Sequence, residues 1–529
     1  MRWLAPLAVL GLALFRGLSL AAPPFVDWTH DETYFFPLAR ALREPGLFAG
    51  DTLFQEFRGA FPVPYLAIVD VALRVLGSEE AVLRWAPAIL LVIFLLGMHA
   101  LAARLTGSRL AGIAVAVMAS RVWPTPFLVG FGIQPGRLYP RDVTTAILPW
   151  LLLLRGSGSR RLPYLLAGLL AAIHPVSAPQ IAVLLLAWGL VARSREGAGG
   201  GALAREAAGG ALLLALGAAP YLVALARLHD LTPPPIDLVR FRMPYALPPP
   251  PRDVARFALV LALAPAVAGT IGLAAGRLAS GARRALLAIL GAALAAALLG
   301  ALTATLPALL PFEPIRAAQY VYLPLLVGVG ALVARAAHAR RPGAVVAATL
   351  AVLLLVEPAV PISALGRVAA AVGLGERPTN FFLQTAPETM REVMAAGAVD
   401  PGWGRAEFLD LARFARERTA PDAVFLLPPV GLDHFRSHAL RGAYVTWKDG
   451  GVILFSERYA RLWNERFRET VRLYATHDAD GFARLLDSGA ARYVVCDARR
   501  PRLPFRVAHE NARFIVHGPG SGLPPDRAR

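Results

Sequence analysis

Apolar runs about the length of a bilayer crossing recur along the chain as far as residue 363, separated by short polar stretches. They cover residues 3–22, 85–103, 110–129, 207–226, 254–275, 285–306, 317–333 and 343–362. About 20 apolar residues carry a helix across a hydrocarbon core of about 30 Å, so each run predicts a membrane-spanning helix. Three weaker runs lie at 143–154, 162–173 and 179–192. Twelve residues reach only about 18 Å as helix at 1.5 Å per residue, so these helices should extend into their flanks or sit in a thinned, protein-lined region. The pattern predicts an α-helical polytopic membrane domain of about eleven spans. Residues 61–77 read as an amphipathic surface helix and not as a span.

Beyond residue 363 the pattern turns charged and mixed. Residues 405–418, 456–474 and 480–488 carry helical periodicity, whereas Ala423–Leu427, Ala443–Thr446 and Arg492–Asp497 read as short buried strands. Alternation of helix and strand predicts a small soluble α/β domain. The chain thus divides into a membrane domain over 1–363, with an outer loop 23–83 bearing juxtamembrane helices, a linker over 364–399 and an α/β domain over 400–529.

Composition agrees with lipid as the solvent: 56% of the 529 residues are hydrophobic and 17% charged, with a mean hydropathy of +0.52. The net charge of +18 does not point to nucleic acid, because Lys448 is the only lysine and the arginines are spread along the chain. A lone cysteine, Cys496, excludes an intrachain disulfide. Residues 1–22 read either as a signal peptide or as a first span, and both readings put residue 23 outside.

The arginines alternate between loops. Arg104–Arg109, Arg155–Arg161, Arg193–Arg205, Arg277–Arg284 and Arg335–Arg341 have arginine at both edges, which marks them as cytoplasmic. The opposite loops, 23–83, 124–142, 174–178, 227–253 and 307–316, hold most of the Pro, aromatic and acidic residues of the membrane half. An odd number of spans then puts the C-terminal domain on the extracytoplasmic side of the inner (cytoplasmic) membrane.

Ionisable groups at span mouths are costly and therefore candidates for function. On the outer side these are Asp31 and Glu32 with Tyr34; Arg137, Arg141 and Asp142; His174 before Pro175; and Glu313, Arg316, Gln319 and Tyr320. Structural readings stand beside each of them. Asp31 and Asp142 can cap helices, the arginines can grip lipid headgroups, His174 can be a kink residue, and Arg316 can pair with Glu313. In the C-terminal domain, His434, Arg436 and Arg441 follow the strand and Pro428-Pro429. They can bind a carbohydrate or anion at a strand end or form a loop edge of Arg–Asp pairs.

The order of these features resembles the GT-C superfamily of membrane glycosyltransferases, which take sugar from a polyprenyl-phosphate carrier at the outer membrane face. The resemblance covers about residues 1–340. It is carried by Asp31-Glu32 with Tyr34 and then Ala39-Arg40-Ala41-Leu42, by Leu76-Gly77-Ser78-Glu79-Glu80, by Ala81-Val82-Leu83-Arg84, and by Arg141-Asp142. The C-terminal domain looks like the outer domain of uncharacterised bacterial polytopic proteins, a resemblance that brings no activity. The GT-C resemblance implies an inverting transfer to a glycan, lipid or protein acceptor. Asp31 would be the general base with Glu32 beside it, Asp142 the second-loop acid, and Arg137, Arg141, Arg316, His174 and Tyr34 would line the site of the lipid-linked sugar donor. The chain departs from the family at Ala172-Ile173-His174-Pro175, where many relatives carry a lysine, and it has Phe61-Pro62-Val63-Pro64-Tyr65 in place of the usual Pro-Pro before the aromatic. No Asp-x-Asp motif is near the site, so a need for divalent metal is unsupported. Two rival readings use the same charges. A transporter or flippase predicts discontinuous helices and a repeat between halves, which the sequence lacks; a non-catalytic scaffold predicts that Asp31 is dispensable.

Overall fold

Among the described residues the apolar runs fold as helices. The computed structural model describes residues 3–19, 32–60, 63–120, 135, 137–226, 232–243, 247, 254–279, 281–303, 305–340, 343 and 404–518, and two compact units divide them. The apolar run 343–362, Asp31 and the segment 364–399 lie outside the described residues.

The first unit comprises Met1–Ala22, Glu80–Ala224 and Pro244–Phe381. Among the described residues, five segments are long and apolar enough to cross a membrane: Glu79–Thr106, Ser177–Arg195, Gly200–Val223, Ala282–Leu299 and Pro307–His338. Shorter apolar helices stand at Leu4–Leu18, Arg109–Ala119, Leu162–Ala172 and Ala264–Leu273. The protein is a membrane protein, and five of the described segments have full spanning length. Several of the shorter runs stop early for local reasons: Leu162–Leu169 tightens into a 3-10 turn at Leu170–Ala172 ahead of Pro175.

Small residues let these helices approach closely. A Cβ on Gly168 would lie 2.2 Å from the Leu214 carbonyl oxygen, and one on Gly217 would lie 2.3 Å from that of Leu165. Two helices thus meet through paired glycines, the packing device of apolar solvents, where no hydrophobic effect drives helices together. The helix Gly200–Ala226 turns Leu212, Leu216, Leu222 and Val223 outward, as lipid contact requires. By contrast residues 313–334 of the Pro307–His338 segment are almost wholly buried. Its first half is 3-10 helix, Pro307–Phe312 and Pro314–Val321, because Pro307, Pro311 and Pro314 remove α-helical donors. Irregular backbone of this kind is tolerated at membrane depth only inside protein.

The second unit draws on three stretches of chain: Pro23–Glu79, Leu225–Met243 and Phe382–Arg529. Its centre is a five-stranded mixed sheet of order β2-β1-β3-β5-β4, with β1 Val424–Leu426, β2 Gly442–Ala443, β3 Tyr493–Asp497, β4 Val507–Glu510 and β5 Phe514–His517. Phe425 of β1 pairs with Ala443 of β2 and with Tyr493 of β3, both parallel; β5 runs antiparallel to β3 and β4. The helix Arg405–Arg418 packs Phe408, Leu411 and Ala415 with Phe425, Phe435, Val495 and Phe514 in one apolar core.

The helices read from periodicity appear at Arg405–Arg418, Glu457–Thr476 and Ala479–Asp487. The second strand is shorter than its sequence run: Asp449 takes the Thr446 N–H at 2.7 Å, and the chain turns into the 3-10 stretch Lys448–Phe455. The β4–β5 hairpin has no counterpart in the sequence reading. The surface run 61–77 is the helix Val63–Leu76, which buries Tyr65, Leu66, Val69 and Leu73. It ends at Gly77 with φ of +80°, the left-handed terminus that glycine adopts freely.

Candidate functional site

Three of the four groups that the arginine pattern assigns to the outer side meet within the first unit. Tyr139 is extended and Pro140 opens the helix Pro140–Gly156, a position where the missing N–H costs nothing. Asp142 follows in the first turn, 2% exposed, where the helix dipole favours an acid. Its Oδ2 accepts the Arg137 backbone N–H at 2.9 Å, and its Oδ1 accepts Nε–H and Nη2–H of Arg141 at 3.0 and 2.9 Å. One carboxylate therefore caps the turn and fixes the Arg141 guanidinium.

His174 opens the next helix. Its Nδ1 accepts the Ser177 N–H at 3.1 Å and lies 2.7 Å from the Ser177 hydroxyl, so the ring proton belongs on Nε2. Protonating Nδ1 would break that contact. Burial, with the guanidinium groups of Arg316 and Arg141 nearby, pushes the His174 pKa well below its ordinary value. Arg141 and Arg316 come from different elements and both act on this one imidazole.

Arg316 sits on the 3-10 stretch and pairs with Glu313, which is 4% exposed and in the left-handed region at φ +37°. Gln180, on the Ser177–Arg195 helix, donates Nε2–H to the carbonyls of Phe312 and Glu313 at 3.1 Å each. The bend is thus tied to the helix that His174 caps. The Tyr320 hydroxyl faces Ser177 and Gln319 beside it. Asp142, Arg137, Arg141, His174 and Arg316 form one polar cluster at helix ends. Two guanidinium groups held by carboxylates, around a neutral imidazole, are suited to an anionic oxygen such as phosphate.

The remaining predicted residues belong to the second unit. Glu32 is the first residue of the helix Glu32–Arg43. Tyr34 is buried there, with its ring 4.4 Å from that of Phe35, and its hydroxyl would lie 3.7 Å from a Cβ on Gly451.

The second unit also holds a charge cluster that its sequence spacing hides. Asp51 caps the helix Thr52–Ala60: its Oδ1 accepts the Phe54 N–H at 2.9 Å. Its Oδ2 accepts Arg436 Nε–H at 2.7 Å and the Ala443 N–H at 2.9 Å. Arg436 donates Nη1–H and Nη2–H to the two oxygens of Asp449, at 2.7 and 3.0 Å, and Nη2–H also to the Ala443 carbonyl. All three residues are buried. Burial raises the Asp51 pKa, opposed mainly by Arg436, while the two carboxylates raise that of Arg436 against its own burial. Beside them Asp433, buried near Lys448, is pushed up to about 6, chiefly by desolvation.

Arg436 and Arg441 are accordingly fold-holding groups and present no open strand-end site. Arg441 donates to the carbonyls of Leu440, Arg416 and Thr419 and so closes the C-terminal end of the helix Arg405–Arg418. The loop edge of Arg–Asp pairs is what forms, and it is buried. Aromatic packing ties residues 232–243 to the same unit. Arg242 lies 4.5 Å from the centroid of the Trp447 ring and donates Nε–H to the Trp447 carbonyl at 3.0 Å, and Phe241 meets Trp447, Trp463 and Phe467.

Among the described residues no group of three His, Cys, Asp or Glu side chains is placed to hold a metal ion. No curated protein matches the chain. Residues 406–470, the stretch that carries Arg436 and Asp449, match a domain of unknown function, DUF6798.

Proposed function

We propose that the protein is a membrane glycosyltransferase that moves a sugar from a polyprenyl-phosphate carrier to an extracytoplasmic acceptor. The observation that carries this reading is the approach of Arg141 and Arg316 to His174 from separate elements, at helix ends that the arginine pattern assigns to the outer face. Guanidinium groups held in place by Asp142 and Glu313 need no reorganisation to meet a leaving phosphate, and such preorganisation is how charge developing in a transition state is stabilised. A neutral His174 with Nε2–H adds a donor. Asp31 keeps the role of general base that the resemblance gives it, with Glu32 and Tyr34 beside it on the chain. Transfer is then a direct displacement with inversion: the acceptor hydroxyl loses its proton to the base, attacks the anomeric carbon, and the carrier phosphate leaves. Donor and acceptor are the only partners required, with no metal step.

The reading includes about eleven spans in the inner membrane and an outer C-terminal domain. That Pro23–Glu79, Leu225–Met243 and Phe382–Arg529 share one side of the bilayer is supported by their joining one compact unit. The number of crossings between them must then be even.

The test is mass spectrometry of surface glycans from cells carrying the wild-type gene, no gene, or Asp31→Asn at equal protein level. The expected outcome is one glycan species lost in the deletion and in Asp31→Asn. Unchanged glycans in the deletion would refute the transferase reading, and unchanged glycans in Asp31→Asn alone would refute the base assignment.

A further inference from the structure

The first unit contains a second basic feature, at the other end of the segment that carries Arg316. The helices Glu79–Thr106 and Tyr322–His338 end there, the helix Arg109–Ala119 begins there, and Arg277 closes a 3-10 turn. Between them lies a cavity of about 350 Å³ lined by Thr106, Ser108, Arg109, Arg277 and His338 among others. No acidic residue lines it.

The polar groups around this cavity are set for an anion. The Ser108 hydroxyl caps the helix by accepting the Ala111 N–H, which leaves the first-turn N–H groups of Arg109 and Leu110 with no protein acceptor among the described residues. Such N–H groups at a positive dipole end favour phosphate. Two guanidinium groups add charge, and neither Arg109 nor Arg277 meets a carboxylate among the described residues. His338 lies with Nδ1 2.7 Å from the Ala334 carbonyl, so Nδ1–H is spent there and the ring is oriented. The two helix C-termini would oppose an anion, but their carbonyls are partly answered: the Ala279 N–H donates to Leu105 and His338 Nδ1–H to Ala334.

We propose that this cavity binds the phosphate group of an anionic membrane lipid. A volume near the lower end for small-ligand sites admits a headgroup but not its acyl chains. Apolar surface for those chains adjoins it, because Leu110 and Val117 on the Arg109–Ala119 helix are exposed, as is Leu273 before Arg277. That surface favours a lipid over a soluble phosphate ester. The arginine-bearing loops here are those assigned to the cytoplasmic leaflet, where anionic headgroups accumulate and basic pockets between helices take them.

The experiment uses the full-length protein in nanodiscs of phosphatidylcholine with a minor fraction of phosphatidylglycerol, ejected into native mass spectrometry. Wild type should retain phosphatidylglycerol over phosphatidylcholine by about tenfold or more, as two arginine contacts imply. Arg109→Gln with Arg277→Gln should bring that preference close to unity, and Arg340→Gln, outside the cavity lining, should leave it unchanged. Equal retention of both lipids by wild type would overturn the site. So would a preference that survives the double change, or one that Arg340→Gln lowers equally, since bulk loop charge would then explain it. Inorganic phosphate is the second arm: binding of phosphate to wild type without lipid preference would overturn the lipid assignment in favour of a soluble ester.

Discussion

Two charge clusters, one in each unit, use the same residue types to different ends. In the second unit Arg436 faces two carboxylates and a carbonyl, and each of its nitrogens is bonded; the side chain is 2% exposed. In the first unit Arg141 pairs with Asp142 and Arg316 with Glu313, and the two arginines keep 13% and 12% of their side-chain surface. A saturated guanidinium has no capacity left for a ligand, so the Arg436 cluster holds chain segments together. An anchored but less enclosed one can take up a further anion. Charge alone does not separate the two clusters; enclosure does.

The sharpest way to break the comparison is to empty the saturated cluster. Arg436→Met leaves Asp51 and Asp449 buried without their cation, and removal of one partner from such a cluster costs about 3–5 kcal/mol. The second unit should open to protease at temperatures where the wild type resists, while the first unit stays inserted. Adding Asp51→Ala and Asp449→Ala to Arg436→Met should recover part of the loss, because the uncompensated charge is the larger penalty. Unaltered protease resistance in Arg436→Met would end the fold-holding role.

Asp433 gives the next effect. Its pKa in the folded unit is about 6 against an ordinary 3.8, so between about pH 4 and 6 the folded state binds more protons than the unfolded one. Stability from this group is present at the acid end and is lost as pH rises through 6. Two pKa units correspond to about 3 kcal/mol, and Asp433→Asn should remove that slope and raise the melting temperature at pH 7. Lys448, Asp449 and Arg242 face the same carboxylate and fix the sign of the residual. A melting curve whose pH slope is the same with and without Asp433 would contradict the assignment.

The less enclosed cluster calls for a milder change. Arg316→Lys keeps a charge beside Glu313 but loses the planar fork. Glycan transfer should fall by about 10–100-fold, with a melting temperature close to wild type. Loss of stability without loss of transfer would move Arg316 to the structural side of the comparison.

What the sequence reveals follows the same division. Periodicity makes the C-terminal helices legible, and a proline before Asp142 marks a helix start. Gly50-Asp51-Thr52 carries a cap signal too, yet the partner of Asp51 lies 385 residues away, and no local rule connects them. Hydropathy cannot tell that Pro23–Glu79 joins the unit of the C-terminal sheet, since a polar loop and a buried polar loop are written alike. The β4–β5 hairpin is hidden for another reason: Val507–Glu510 is half-exposed and charged, as suits an edge strand. Convergence of Arg141, His174 and Arg316 was foreshadowed by their common side, but their mutual approach depends on the 3-10 bend that three prolines impose.

His174 supplies the smallest effect, and one of opposite sign to Asp433. The folded first unit disfavours protonated His174 because burial and two arginines oppose it, whereas the unfolded chain protonates near pH 6.5. The unfolded state therefore binds the extra proton, and stability from this group is lost as pH falls below about 6.5. The second unit gains from Asp433 in that direction, so acid should loosen one unit while it tightens the other. His174→Asn supplies a side-chain oxygen for the Ser177 N–H but no titrating ring, so it should abolish the acid-side loss in the first unit; His174→Ala also removes the cap and should cost about 1 kcal/mol. Hydrogen exchange of the Ser177 amide, followed from pH 7.5 to 5, reads this locally. Exchange protection that rises towards pH 5 in wild type, or that falls equally in His174→Asn, would mean that the two arginines do not govern His174.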